Sequence, residues 1–150
     1  MNLQMEINSL KQRIAELEQQ VKQEKEFPQY GKDYSYINTY GGVESDIWEG
    51  HFAERNMVKI GNFFKTEKEA EFIAEKLKVE AELRKYSRPF YWGGENWILS
   101  MGTNKDILLV YEDDEMNQGA VYFGDEYKAL EAIEAVGKDR IKKYIFGVEE

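Results

Sequence analysis

Leu3, Ile7, Leu10, Ile14, Leu17 and Val21 recur at alternating spacings of four and three residues, the a/d seam of a coiled coil, unbroken over three heptads. No other feature restricts the fold as much. Ile7, Ile14 and Val21 occupy the a positions and leucine fills every d position, side-chain shapes that favour two parallel strands. In that geometry the flanking g and e residues match Glu6 with Lys11 and Arg13 with Glu18 across the pair, both of opposite sign. A fully overlapped antiparallel pair would instead set Lys11 against its own copy and Arg13 against its own copy. Positions b, c and f are nearly all polar (Asn8, Ser9, Gln12, Glu16, Gln19, Lys22, Gln23), so the apolar stripe is narrower than that of a helix lying on its own domain. Residues 1–26 therefore read as a dimerisation helix and 27–33 as a connector begun by Phe27-Pro28. Three heptads are marginal alone, so the rest of the chain is expected to add to the contact.

The remaining residues, 34–150, read as one α+β domain of two β-hairpin-plus-helix units with antiparallel sheet. Tyr34, Tyr36, Ile37 and Tyr40 lead into Gly41-Gly42, and Val43 to Trp48 lead out, as in a hairpin. Asn56 to Phe64 reads as a third extended piece. Thr66 and Glu69 then form a capping-box pattern for a helix to about Tyr86, with Ala70, Ile73, Ala74, Leu77 and Ala81 facing inward. The order recurs. Asn96 to Met101 and Ile107 to Tyr111 flank a turn, Ala120 to Phe123 is another short strand, and Asp125 caps a helix ending at Gly137. Phe64, Thr66, Ala70 and Leu77 match Phe123, Asp125, Ala129 and Val136 at a constant offset of 59, a tandem repeat over 34–86 and 96–137. Lys138 to Lys143 starts a last short helix, and Tyr144-Ile145-Phe146 covers the core.

Chemistry is sparse. Cysteine is absent and His51 is the only histidine, which leaves no disulfide framework, no thiolate nucleophile and no zinc ligand set. Catalytic residues, a metal and a cofactor are accordingly not expected, and the protein reads as a non-enzyme. Neither Gly41-Gly42 nor Gly93-Gly94 has the spacing of a phosphate loop. A net charge of -9 opposes binding to nucleic acid. No apolar run matches a membrane span and no secretory signal opens the chain, so a cytoplasmic protein is expected. Two segments remain as candidate sites. Glu112, Asp113, Asp114 and Glu115 lack EF-hand spacing but form an anionic patch suited to a basic protein surface. Tyr91, Trp92 and Trp97 are candidates for stacking a nucleotide, although aromatics beside a Gly-Gly turn more often fill the end of a sheet.

Gly61-Asn62-Phe63-Phe64-Lys65-Thr66, Glu69-Ala70-Glu71, Glu75-Lys76-Leu77-Lys78, Ala132 to Gly137, Arg140 to Tyr144 and Phe146 to Glu149 resemble a widespread group of small, mostly uncharacterised proteins of phages and prophages of Gram-positive bacteria. The resemblance spans Tyr34 to Glu149, and its motifs are caps and core, so it carries no functional residues. It implies an accessory protein acting in the cytoplasm of an infected bacterial cell. The expected role is a homodimeric, stoichiometric inhibitor of a host defence system, anti-CRISPR-like or otherwise, whose partners are itself and a host protein with a basic surface. A nucleotide-signal sponge and a virion structural or assembly protein are the alternatives.

Overall fold

The computed structural model describes residues 2–149, with backbone only for 23–25. Met1 and Glu150, the outer limits of the expected domains, lie outside the described residues. The element order is α1 (Leu3–Lys25), β1 (Asp33–Ile37), β2 (Val43–Ile47), α2 (Phe52–Lys59), α3 (Glu67–Arg84), β3 (Trp97–Met101), β4 (Ile107–Tyr111), α4 (Glu126–Val136) and α5 (Lys138–Tyr144). The class is α+β, with two antiparallel two-stranded sheets, β1-β2 and β3-β4. The chain forms two compact units, Met1–Ala70 and Glu71–Glu150, and the division falls inside α3.

In the first unit, α1 starts where Asn2 Oδ1 accepts the Gln4 N–H at 3.1 Å, a side-chain cap on otherwise unpaired donors. The β1-β2 hairpin pairs Ile37 with Val43 and Asp33 with Ile47. Its turn is closed by Asn38 N–H to Gly42 O and Gly41 N–H to Asn38 O, with Gly41 at a φ of 79°. Asn62 clamps the end of β1, accepting the Ile37 N–H at 2.7 Å and donating to the Ile37 carbonyl at 2.8 Å. Tyr34 is buried and stacks on Phe63 at 4.3 Å, with Trp48 edge-on to both rings and Phe27 against Phe63.

The second unit is built on Val79, Leu83, Phe123, Ala129, Ala132, Val136 and Ile141, against which Trp97, Leu99, Ile107, Leu109, Tyr144, Ile145 and Phe146 pack. Asp125 accepts the Lys128 N–H at 2.7 Å to start α4. Gly137, at a φ of 102°, ends α4 and lets α5 set off in a new direction. Arg140 grips Glu82 with two bonds, Nη1 to Oε2 at 2.9 Å and Nη2 to Oε1 at 3.1 Å, and so ties α5 to α3.

The two hairpins match in strand register and turn bonding, although each is bridged at a different place, Ser35 in the middle of β1 and Trp97 at the start of β3. Adding 64 to each residue number converts the pairs Asp33↔Ile47 and Ile37↔Val43 into Trp97↔Tyr111 and Met101↔Ile107. The same shift converts Asn38 N–H to Gly42 O into Gly102 N–H to Asp106 O, and Trp48 N–H to Lys32 O into Glu112 N–H to Asn96 O. Each hairpin is joined by one bridging residue ahead of a capped helix: Ser35 by Phe64 and Trp97 by Phe123. Phe64 and Phe123, the caps Thr66 and Asp125, and the fully buried Ala70 and Ala129 keep the offset of 59. The connection is five residues longer in the first copy, where it contains α2; in the second it is the acidic loop.

Three expectations need correction. Asn56 to Phe64 is not an extended piece: Phe52–Lys59 is helical, because Glu54 turns back at the third helical position to accept the His51 N–H at 2.9 Å. Ala120 to Phe123 is not a strand, since only Phe123 exchanges ladder bonds, both with Trp97. On α3 the inward face does not continue through Leu77 and Ala81, which are exposed. The helix runs from Glu67 to Arg84 and buries Ala70 and Ala74 in its first half but Val79 and Leu83 in its second. At 3.6 residues per turn, Val79 lies roughly half a turn around the axis from Ala70. The repeat fails at Leu77 for this reason: its counterpart Val136 is buried.

Candidate functional site

The a/d seam of α1 is exposed along its whole length. Leu3, Leu10 and Ile14 are each more than half exposed (70, 64 and 55 %), and Ile7, Leu17 and Val21 follow at 37, 45 and 49 %. Isolated apolar residues on a surface mean little, but here six line up on one helix as a continuous exposed apolar stripe. Arg13, expected to reach Glu18 of a second copy, here pairs with Glu16 of its own helix at 3.2 Å. Exposed pairs of this kind contribute roughly 0.3–0.5 kcal/mol, so redirecting Arg13 costs little.

Glu112, Asp113, Asp114 and Glu115 follow β4. Glu112 is half-buried and donates its N–H to the Asn96 carbonyl at 2.7 Å; the next three are exposed and make no ion pair among the described residues. The far end of the loop is held by the Tyr122 phenol, which accepts the Asn117 N–H at 2.5 Å. Three exposed carboxylates and the half-buried Glu112 thus sit on a loop tied at both ends, without an ion-pair partner among the described residues.

Tyr91 and Trp92 are both 64 % exposed, whereas Trp97 is half-buried, edge-on to Tyr111 and packed on the core of its unit. The Trp97 indole N–H is buried and has no hydrogen-bond partner among the described residues. The segment carrying Tyr91 and Trp92 is pinned from below by Asn96, which is fully buried, accepts the Tyr91 N–H and donates to the Tyr91 carbonyl, both at 2.9 Å. Arg88 completes the knot, donating to Asn96 Oδ1 and to the Pro89 and Glu95 carbonyls. Its guanidinium is consumed by the scaffold.

A cluster of titratable groups that the sequence did not assemble surrounds Glu54. Its carboxylate is buried and accepts the N–H groups of His51 and Glu49 at 2.9 and 3.2 Å. Burial alone would raise its pKa, but the His51 N–H, the Tyr34 hydroxyl and the Glu49 N–H together bring it below the usual carboxylate value. Tyr34 moves the opposite way, pushed up by burial, by its bond to Glu54 and by the adjacent negative charge. His51 is exposed, its Nε2 lying 2.6 Å from Glu49 Oε2. The signal was present as His51-Phe52-Ala53-Glu54, a cap followed by glutamate three residues later. This arrangement is a helix start.

A depressed carboxylate pKa contributes stability that is present above the unfolded-state value and is lost as pH falls through the folded-state value. Replacing Glu54 with Gln should therefore lower the melting temperature most above about pH 5, and the difference from wild type should shrink as pH falls through the folded-state value. Thermal melts of the two proteins over that range check this, and parallel curves would deny Glu54 its role.

No group of three His, Cys, Asp or Glu side chains placed to hold a metal occurs among the described residues. Among the same residues no helix is long and apolar enough to cross a membrane. Comparison with protein-family models, curated proteins and solved structures found no match.

Proposed function

We propose that the protein is a homodimeric, non-catalytic binding module, made by a phage in its host's cytoplasm, that inhibits a host defence system by occupying a basic surface of a target protein. The observation that carries the reading is the exposed seam of α1, which leaves a contact surface for a second copy. The acidic loop supports the second half. Its carboxylates are unpaired among the described residues and anchored on both sides, so a negative field is presented at little ordering cost. The phage setting rests on the resemblance of Tyr34 to Glu149 to phage and prophage proteins.

The test is capture of the target by the tagged dimer from infected cells, followed by binding kinetics. Changing Glu112, Asp113, Asp114 and Glu115 to the corresponding amides should slow association about tenfold at low salt and flatten its salt dependence. Thermal stability should hardly change, because exposed loop residues rarely contribute more than about 0.5 kcal/mol. An on-rate equal to wild type at every salt concentration would remove the loop from the interface.

A further inference from the structure

Although the chain is acidic overall, four cations stand within the six residues Lys138 to Lys143, beside the turn of the second hairpin. Between them lies an open cavity of about 820 Å³ lined by Lys105, Arg140, Lys142, Lys143 and Tyr144, with the carboxylates of Asp139 and Glu149 also on its wall. The volume lies within the ordinary range for small-ligand sites.

Ion pairs and ring packing join the elements around this cavity. Asp106, in the hairpin turn, receives Lys138 at 3.2 Å and Lys142 at 3.6 Å, which ties turn to helix. Arg140 is held by Glu82, and the Tyr144 ring rests against Phe72 at 5.1 Å. Lys143 Nζ lies 5.3 Å from the Tyr144 ring centre. Neither Lys105 nor Lys143 makes an ion pair among the described residues, so the charges of both lining lysines are left without a carboxylate partner, Lys143 resting only over the Tyr144 ring.

Lys105 supplies the second, independent observation. It is the only non-glycine residue with positive φ among the described residues, at 61°. The residue at the same place in the first hairpin is Gly41, at 79°. A side chain in this region is strained relative to glycine, which has no Cβ to clash with the following carbonyl. The second copy of the turn thus carries a lysine where the first carries the unstrained residue, and that lysine lines the cavity. Strain retained in this way points to a use for the side chain.

We infer that this cavity binds a small phosphate-bearing ligand of the nucleotide class, with Lys105 and Lys143 meeting the phosphate chain and Tyr144 beside the base. A small ligand is favoured over a nucleic acid chain because Asp139 and Glu149 flank the cations and the protein as a whole repels a long polyanion. The site is independent of the proposed protein target, so either can fail alone.

Calorimetry of the full-length protein with ATP, inorganic triphosphate and AMP tests the inference. ATP and triphosphate should bind, AMP more weakly, and all should weaken with salt. Tighter binding of ATP than of triphosphate places a base at Tyr144; equal affinity keeps the phosphate chain and overturns the assignment of the base. Lys105→Gly should lose about tenfold in affinity, the equivalent of one charged contact, while melting at or above the wild-type temperature. Lys143→Ala should lose affinity by a similar factor with its fold unchanged. Absence of binding to both triphosphates, undiminished binding in both variants, or binding only to a single-stranded oligonucleotide would overturn the proposal.

Discussion

Replacing Ile14 and Leu17 with aspartate should convert a dimer into a monomer, read as a halving of mass by light scattering. At the centre of a parallel zipper the double variant sets four carboxylates in apolar surroundings, and each buried charge without a partner costs several kcal/mol. A three-heptad interface cannot absorb that, because helices of this length are marginal without their partner. The folded units should survive: both residues lie on a face of α1 that is exposed in the single chain. Orientation can be read separately, since the chain has no cysteine. A single Leu3→Cys substitution should give a rapid disulfide-linked dimer if the strands are parallel. In a fully overlapped antiparallel pair the two sulfurs would stand about 27 Å apart, eighteen residues of helix, and would not join. An unchanged mass in the aspartate variant would remove α1 as the principal contact.

Phe123→Ala should be the most damaging single substitution in the second unit. Phe123 is fully buried among Val79, Leu83, Ala129, Ala132, Val136 and Ile141, and its backbone makes the two bonds that join β3 to the entry of α4. Removing a ring from such a position costs about 3–5 kcal/mol, against a total of roughly 5–15 kcal/mol for a domain. A fall in melting temperature of about 15 °C or more follows for a unit of this size. Phe64 occupies the same place in the first copy but is only half-buried, so Phe64→Ala should cost less. Equal losses at the two positions would contradict the burial difference between the copies.

The parts of the fold legible in the sequence were those set by local chemistry. The seam of α1 announces a helix through its period, the Gly41-Gly42 turn announces a hairpin, and Thr66 and Asp125 announce helix starts through side-chain caps. Parts set by distant neighbours were hidden. Whether Phe64 and Phe123 extend into strands depends on how many ladder bonds the hairpins offer them, and each hairpin offers one bridge. Glu54 reads as a surface acid until Tyr34 and the His51 N–H are brought around it. The cavity beside α5 was hidden for a related reason: Lys105 and Lys143 are far apart in the chain, and only the fold places both on one wall. The acidic loop, by contrast, was visible at once as a charge run.

The change of buried face along α3 bears on how the chain can be cut. A fragment boundary at Ala70/Glu71, where the two compact units divide, would sever one continuous backbone ladder and leave Ala70 and Ala74 on different pieces. The amino-terminal piece would keep only the first turn of the helix, too short to hold its own shape, and the carboxy-terminal piece would begin with frayed backbone donors. Fragments meant to isolate either half therefore need the whole of Glu67–Arg84, so that two usable pieces overlap through a shared helix and do not meet at a point.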